Sequence, residues 1–170
     1  KFESIELARI IDRGIRESKF IDFEKLCIKE GEKVWGVFLD IYSINDDGNL
    51  LDAAGIGAIA ALSTAKMPKY DEETEKVVYG ELTDKNIPLT KNVIIPITIH
   101  KIGNNYLVDP TREEEDISET RVTIGSSDGV ISSMQKGNSM WIDPKEFSEM
   151  LDLNEKVWKD IFKKIEKLLK

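Results

Sequence analysis

Val34-Trp35-Gly36-Val37-Phe38-Leu39-Asp40-Ile41-Tyr42-Ser43-Ile44 runs into Asn45-Asp46-Asp47-Gly48-Asn49 and then into Leu50-Leu51-Asp52-Ala53-Ala54-Gly55-Ile56-Gly57-Ala58-Ile59-Ala60-Ala61-Leu62. The first segment is apolar almost throughout, which predicts a strand covered on both faces. The second is turn chemistry, because Asx side chains and Gly tolerate positive φ. The third is rich in Ala and Gly with Asp52 as its one charge, and predicts a helix buried nearly all round. Gly55 and Gly57 each cost a helix about 1 kcal/mol against Ala, so close packing against the sheet is their expected reason.

Upstream, Ile5, Ala8, Ile11 (or Ile10) and Ile15 recur at helical spacing and predict an amphipathic helix from about Ser4 to Ser18. Downstream, Pro68 closes the Ala-rich helix region, and Tyr70 to Lys76 is polar enough to be a loop or ragged edge. Val77-Val78-Tyr79-Gly80 suits a short strand, and Asp84 to Pro88 a further loop. Asn92 to Lys101 predicts a strong strand in which Pro96 demands an edge or a bulge. Gly103-Asn104-Asn105 is a hairpin turn into Tyr106-Leu107-Val108-Asp109, and Ser127-Asp128-Gly129 turns a second hairpin between 120–126 and 130–135. Asp143 caps and Pro144 opens a last helix. Its apolar stripe is Phe147, Met150, Leu151, Val157, Trp158, Ile161, Ile165 and Leu168, and Lys163, Lys164, Lys167 and Lys170 complement its dipole. Strands and helices alternate, then hairpins dominate, then a helix closes: an α+β or α/β pattern with a mixed sheet.

The chain has 170 residues, 41 % hydrophobic and 33 % charged, with a net charge of −8. That composition is ordinary for a soluble globular domain and argues against a generally basic nucleic-acid surface, so any nucleic-acid contact must be local. No run of eighteen apolar residues marks a membrane span, and no signal peptide is visible. A single cysteine, Cys27, rules out an internal disulfide framework and a Cys-rich metal site, which makes an intracellular, cytoplasmic location the default; Cys27 is expected to be buried and inert.

Val37-Phe38-Leu39-Asp40-Ile41-Tyr42 followed by Asp47-Gly48-Asn49-Leu50-Leu51-Asp52-Ala53 resembles the RNase PH-like fold. Glu6-Leu7-Ala8-Arg9-Ile10-Ile11-Asp12-Arg13-Gly14-Ile15-Arg16-Glu17-Ser18-Lys19 is similar to the Glu-Leu-Ala-Arg-x-x-Asp-Arg-x-x-Arg-x-Ser-Lys motif of the non-catalytic RNase PH-like subunits of the archaeal exosome core ring. The resemblance implies an α+β RNase PH-like fold of mixed sheets with packed helices. It covers nearly all of this chain but only the latter two-thirds of a family member, which, with a first residue Lys1 in place of Met, favours a fragment lacking the amino-terminal strands. Residues 1–66 would then end a first subdomain, 67–90 link, and 91–170 form a second subdomain.

Asp109, Glu113, Glu114, Glu115, Asp116 and Glu119 cluster within eleven residues. Carboxylates so placed could bind a hard cation such as Mg²⁺, or form a solvated turn with Arg112 and Arg121 as partners. Active RNase PH-like subunits carry two catalytic aspartates here, and the resemblance aligns Glu115 and Arg121 with them. A guanidinium can neither act as a base nor bind a metal. The family's Gly-Gly-Thr-Arg is matched by Gly48-Asn49-Leu50-Leu51, so its Thr-Arg pair is absent too. The resemblance therefore implies no catalytic residues, no metal ligands and no cofactor.

Arg9 and Arg13 are four apart and share one helix face, where two guanidiniums can grip successive phosphates without reading sequence. Salt bridges with Glu6, Asp12 or Glu17 are the alternative. In the family, the residues matching Arg9 and Arg13 bind RNA at the boundary with the catalytic subunit. His100 has no partner at motif spacing and is expected to be a strand-face residue. Trp35, Trp141 and Trp158 suit core or interface anchoring, and Lys136, in Met134-Gln135-Lys136-Gly137, could face RNA.

The function so implied is a non-catalytic exosome subunit that shapes a catalytic RNase PH-like partner's active site and helps bind single-stranded RNA for 3′–5′ degradation. Its partners would be that catalytic subunit, in a hexameric ring of three heterodimers, and RNA-binding cap subunits, with no membrane. An active phosphorolytic 3′–5′ exoribonuclease of the same fold, or a truncated structural module, are the rivals.

Overall fold

The computed structural model describes residues 2–167 and 169, with side chains from Ser4 onward; the expected roles of Leu168 and Lys170 lie outside these described residues. The chain opens with α1 (Phe2–Glu17), then a 3-10 turn at Phe23–Leu26, then a small antiparallel pair, β1 (Cys27–Lys29) and β2 (Lys33–Val34). Cys27 is exposed, not buried, because it sits on this surface pair.

The apolar run after β2 is not the doubly covered strand its composition predicts. Beyond the bond from the Trp35 amide to the Leu26 carbonyl (2.9 Å), residues 36–44 join no strand ladder among the described residues. Burial alternates with a period of two: Trp35, Val37 and Leu39 are half-buried, while Phe38 is 91 % exposed and Tyr42 85 %. One face has something to pack on. Trp35 and Val37 pack on the cluster of Phe20, Ile21, Leu26, Ile59, Leu62 and Ile94, and Leu39 on that of Ile11, Ala54 and Ala58. Apolarity alone does not make a strand when no neighbour offers a ladder, so the segment instead borders a cleft of about 1060 Å³ beside α1.

Helix α2 (Leu50–Thr64) buries Asp52, Ala54, Gly55, Ala58, Ile59 and Leu62, whereas Ala53, Gly57, Ala60 and Ala61 are exposed. It is therefore buried on one side only; small residues misread as all-round burial because an exposed Ala leaves little apolar area in water and keeps its helix propensity. Gly55 answers the expectation of close packing, since a Cβ there would meet Pro96 Cγ at 2.0 Å, while Gly57 faces open space.

Next comes a two-stranded ribbon, β3 (Lys66–Asp71) and β4 (Lys76–Asn86), where loops and one short strand are expected. Pro68 stands inside β3, opposite Leu82, with a register shift on each side of it, which is how a strand accommodates Pro.

The main sheet is antiparallel, in the order β6-β5-β7-β8, from β5 (Ile95–Ile102), β6 (Asn105–Val108), β7 (Thr120–Ser127) and β8 (Val130–Gly137). Both predicted hairpins are present; Asp128 and Gly129 take positive φ of 46° and 80°, as a primed turn requires. Pro96 is tolerated because β6 pairs only with Ile99–Ile102, leaving β5 open on one side at Pro96. The acid cluster forms a short helix, α3 (Arg112–Asp116), with a Thr111–Glu114 capping box.

The last helix, α4 (Pro144–Ile165), starts where Asp143-Pro144 places it, with a capping box between Asp143 and Glu146. Its Met150 and Trp158 close the core over Ile95, Ile97, Ile99, Val122 and Ile124. Trp141, by contrast, is exposed. On the opposite side of the sheet, α2 packs on β5 and α1 packs on β7 and β8. No described helix is long and apolar enough to cross a membrane.

Candidate nucleic-acid interface

At about 100° per residue, an α-helix sorts α1 into three flanks. Glu6, Ile10 and Gly14 face the sheet: Glu6 reaches Arg121 on β7, and Gly14 lies against Ser133 of β8 and Ile94. Leu7, Ile11 and Ile15 face α2 and the cleft. Arg9 and Arg13 fall on the remaining flank, turned away from α2. Because α2 covers β5 and α1 covers β8 further out, that flank overhangs the free edge of β8.

Both arginines are exposed, and neither forms an ion pair with a described residue. Each acid that sequence reasoning offers them is taken elsewhere. Glu6 holds Arg121 at 2.8 Å, with both side chains largely buried. Asp12 holds Arg16 at 3.0 Å, and Glu17 stands 3.8 Å from the same guanidinium. Two free guanidiniums one turn apart are left, in a chain of net charge −8.

Strand register places the other candidate. Directly opposed residues share a sheet face. Lys136 opposes Val122, whose side chain lies in the α4 core, so Lys136 is on the face away from Arg9 and Arg13; its ammonium donates to the Asn138 carbonyl at 2.9 Å. Gln135 opposes Thr123, on the α1 side.

The two positions aligned with catalytic aspartates are both committed to structure. A Glu115 carboxylate oxygen accepts the Asn49 amide at 2.9 Å, beside the N-terminus of α2, and Arg112 lies near the other oxygen. Arg121 is clamped between Glu6 and the backbone of Gly137, where even a Cβ would stand 2.6 Å from its guanidinium carbon. The remaining acids of the cluster serve α3 and its surroundings: Asp109 accepts from the Asn49 side chain, Asp116 pairs with Arg112, and Glu114 completes the cap. No group of three or more ligating side chains that could hold a metal occurs among the described residues.

Two buried groups have shifted pKa values. His100 is buried beside Arg121; desolvation first, and then the guanidinium, push it down to about 4, so it is a neutral imidazole. Its Nδ1 lies 3.1 Å from Ser118 Oγ, a strand-face role rather than that of a base. Asp52 is lifted to about 6 by desolvation, against the Thr98 amide (3.0 Å) and hydroxyl (2.7 Å) that donate to it.

The sequence models of domain 1 and domain 2 of the 3′ exoribonuclease family match residues 2–68 and 92–157, and the chain belongs to that family. Within it, the chain is 47 % identical over 152 residues to exosome complex component Rrp42 of Archaeoglobus fulgidus, covering 89 % of this chain and 56 % of that protein. The Thermococcus onnurineus protein of the same name is 48 % identical over 154 residues, covering 88 % of this chain and 56 % of it. A chain of the solved Archaeoglobus fulgidus exosome with RNA bound to the active site superposes with a TM-score of 0.84 at 43 % identity, covering 96 % of this chain and 61 % of that one. This chain thus spans little more than half the length of the relatives it matches.

Proposed function

We propose that this chain serves an exosome-type complex as a non-catalytic, RNA-holding subunit beside a catalytic RNase PH-like partner, in a ring of three heterodimers that RNA-binding cap subunits can join. One observation carries the reading: Arg9 and Arg13 form no ion pair with a described residue, while Glu6, Asp12 and Glu17 are each paired to another arginine. Two unneutralised guanidiniums at one-turn spacing suit consecutive phosphates of a single strand. Phosphoryl transfer needs a group that handles charge or protons at the reacting centre. Glu115, tied to a backbone amide, and Arg121, tied to Glu6, do not offer one, which supports a holding role over a cutting one.

The test is the Arg9→Glu/Arg13→Glu double variant, assembled with its catalytic partner and titrated with two unrelated RNAs at several salt concentrations. Affinity should fall for both RNAs alike. The slope of log K against log salt should shrink by about 0.7 per lost phosphate contact on a single strand. Unchanged affinity and slope in an intact assembly would refute the reading, and a loss confined to one sequence would mean base readout instead. Alongside, the wild-type chain alone, given Mg²⁺ and phosphate, should release no nucleoside diphosphates from single-stranded RNA.

A further inference from the structure

We infer that the free edge of β8 is the second wall of the RNA track, and that Gln135 there accepts the hydrogen of a ribose 2′-hydroxyl. The inference rests on Arg9 and Arg13 as phosphate ligands and adds the group that tells RNA from DNA.

Two fixed points set α1 against β8. Gly14 lies at Ser133, and Glu6 lies at Gly137 through Arg121. Eight helical residues span about 12 Å and four strand residues about 13 Å, so helix and strand stay level between those points. Midway, Gln135 stands level with Ile10. Register puts its side chain on the sheet face that α1 covers, and the matched spans put it between the levels of Arg9 and Arg13.

The amide of Gln135 is held in one orientation. Its Nε2 donates to the Lys136 carbonyl at 3.1 Å, and a carbonyl can only accept, so Oε1 is left as the acceptor. An acceptor beside two phosphate-binding cations has no use for a phosphate oxygen, which also only accepts. Among the groups of the sugar-phosphate backbone, the one along the strand that donates a hydrogen is the 2′-hydroxyl, present in RNA and missing from DNA. No charge enters the contact, which suits a chain whose net charge of −8 would oppose a further anion.

The experiment compares one single-stranded RNA, the DNA of the same sequence, and RNAs carrying a single 2′-O-methyl group at successive positions, all binding to the full chain assembled with its catalytic partner. Gln135→Leu should weaken RNA binding by about three- to tenfold, the value of one hydrogen bond, and leave DNA binding unchanged. In the wild type, one or two methylated positions should weaken binding to the same degree. In Gln135→Leu those positions should no longer matter. Equal losses for RNA and DNA, or an RNA preference unchanged by the substitution, would overturn the inference. Should Gln135→Leu fail to fold, the methyl scan on the wild type decides, and a flat scan overturns it. The Arg9→Ala/Arg13→Ala variant separates the two readings: it should lower RNA and DNA binding together, and if it lowers neither, the phosphate reading fails as well.

Discussion

Replacing Asp52 by Asn should stabilise this protein at neutral pH. The carboxylate is 97 % buried by exposure, at the start of α2, and burial lifts its pKa from an ordinary 3.8 to about 6. A difference of about 2 pKa units corresponds to about 3 kcal/mol, since each unit is worth 1.36 kcal/mol. The sign follows from proton binding. Between pH 3.8 and 6 the unfolded chain has released this proton and the folded chain still holds it, so stability falls as pH rises through that window and is flat above it. The N-terminus of α2 favours a negative charge there, but by about 0.3–1 kcal/mol, too little to reverse the balance. Asn can keep the local bonds: its oxygen accepts the Thr98 amide, and its NH₂ donates to the Thr98 hydroxyl, which passes its own hydrogen to Thr123, 2.9 Å away. Urea unfolding of both proteins at pH values from 4.5 to 8 tests this. The variant should be more stable by about 1–3 kcal/mol at pH 7, with the gap closing toward pH 4. A variant less stable at pH 7, or a gap that does not change with pH, would refute the reasoning.

Two further predictions concern the helix and the run that flanks it. Gly55→Ala should destabilise by about 1–3 kcal/mol, because its Cβ would overlap Pro96, whereas Gly57→Ala, in open space, should gain about 0.5–1 kcal/mol from helix propensity; thermal unfolding of the pair reads both. Amide hydrogens of residues 36–44 should exchange orders of magnitude faster than those of Ile97, Ile99 and Val122 in the sheet, as measured by hydrogen exchange, since the run has no ladder partner.

The elements that could be read from sequence are those whose signal is local. Asp143-Pro144 is both cap and first helical residue, and Asp128-Gly129 supplies two positive φ angles, so neither needs knowledge of the rest of the chain. What could not be read depends on neighbours. The run beyond Val34, residues 36–44, has strand composition but no ladder, and its alternation reports a single packing face. The ribbon β3–β4 hid because neither of its faces is consistently apolar: most of β4 is exposed on both sides. At the candidate site, the i, i+4 spacing of Arg9 and Arg13 was visible. That Glu6 would be claimed by Arg121, 115 residues away, was not, and that pairing, with Arg16 taking Asp12 and Glu17, leaves the two arginines without a described ion-pair partner. Lys136 looked the more suggestive neighbour by charge, but strand parity turns it to the other face and puts Gln135 in its place.

The segments before and after the ribbon are stitched together by contacts that do not run through it. Asp52 meets Thr98, Glu6 meets Arg121, the Asp47 carbonyl accepts the Arg112 amide at 3.1 Å, and Gly48 sits where a Cβ would strike the Pro110 carbonyl oxygen at 2.3 Å. The covalent crossing from one segment to the other is thus the least necessary of their connections. A cut in the exposed turn at 72–75 would leave two pieces that cannot drift apart, and new chain ends opened there would meet a fold already closed by its own seam.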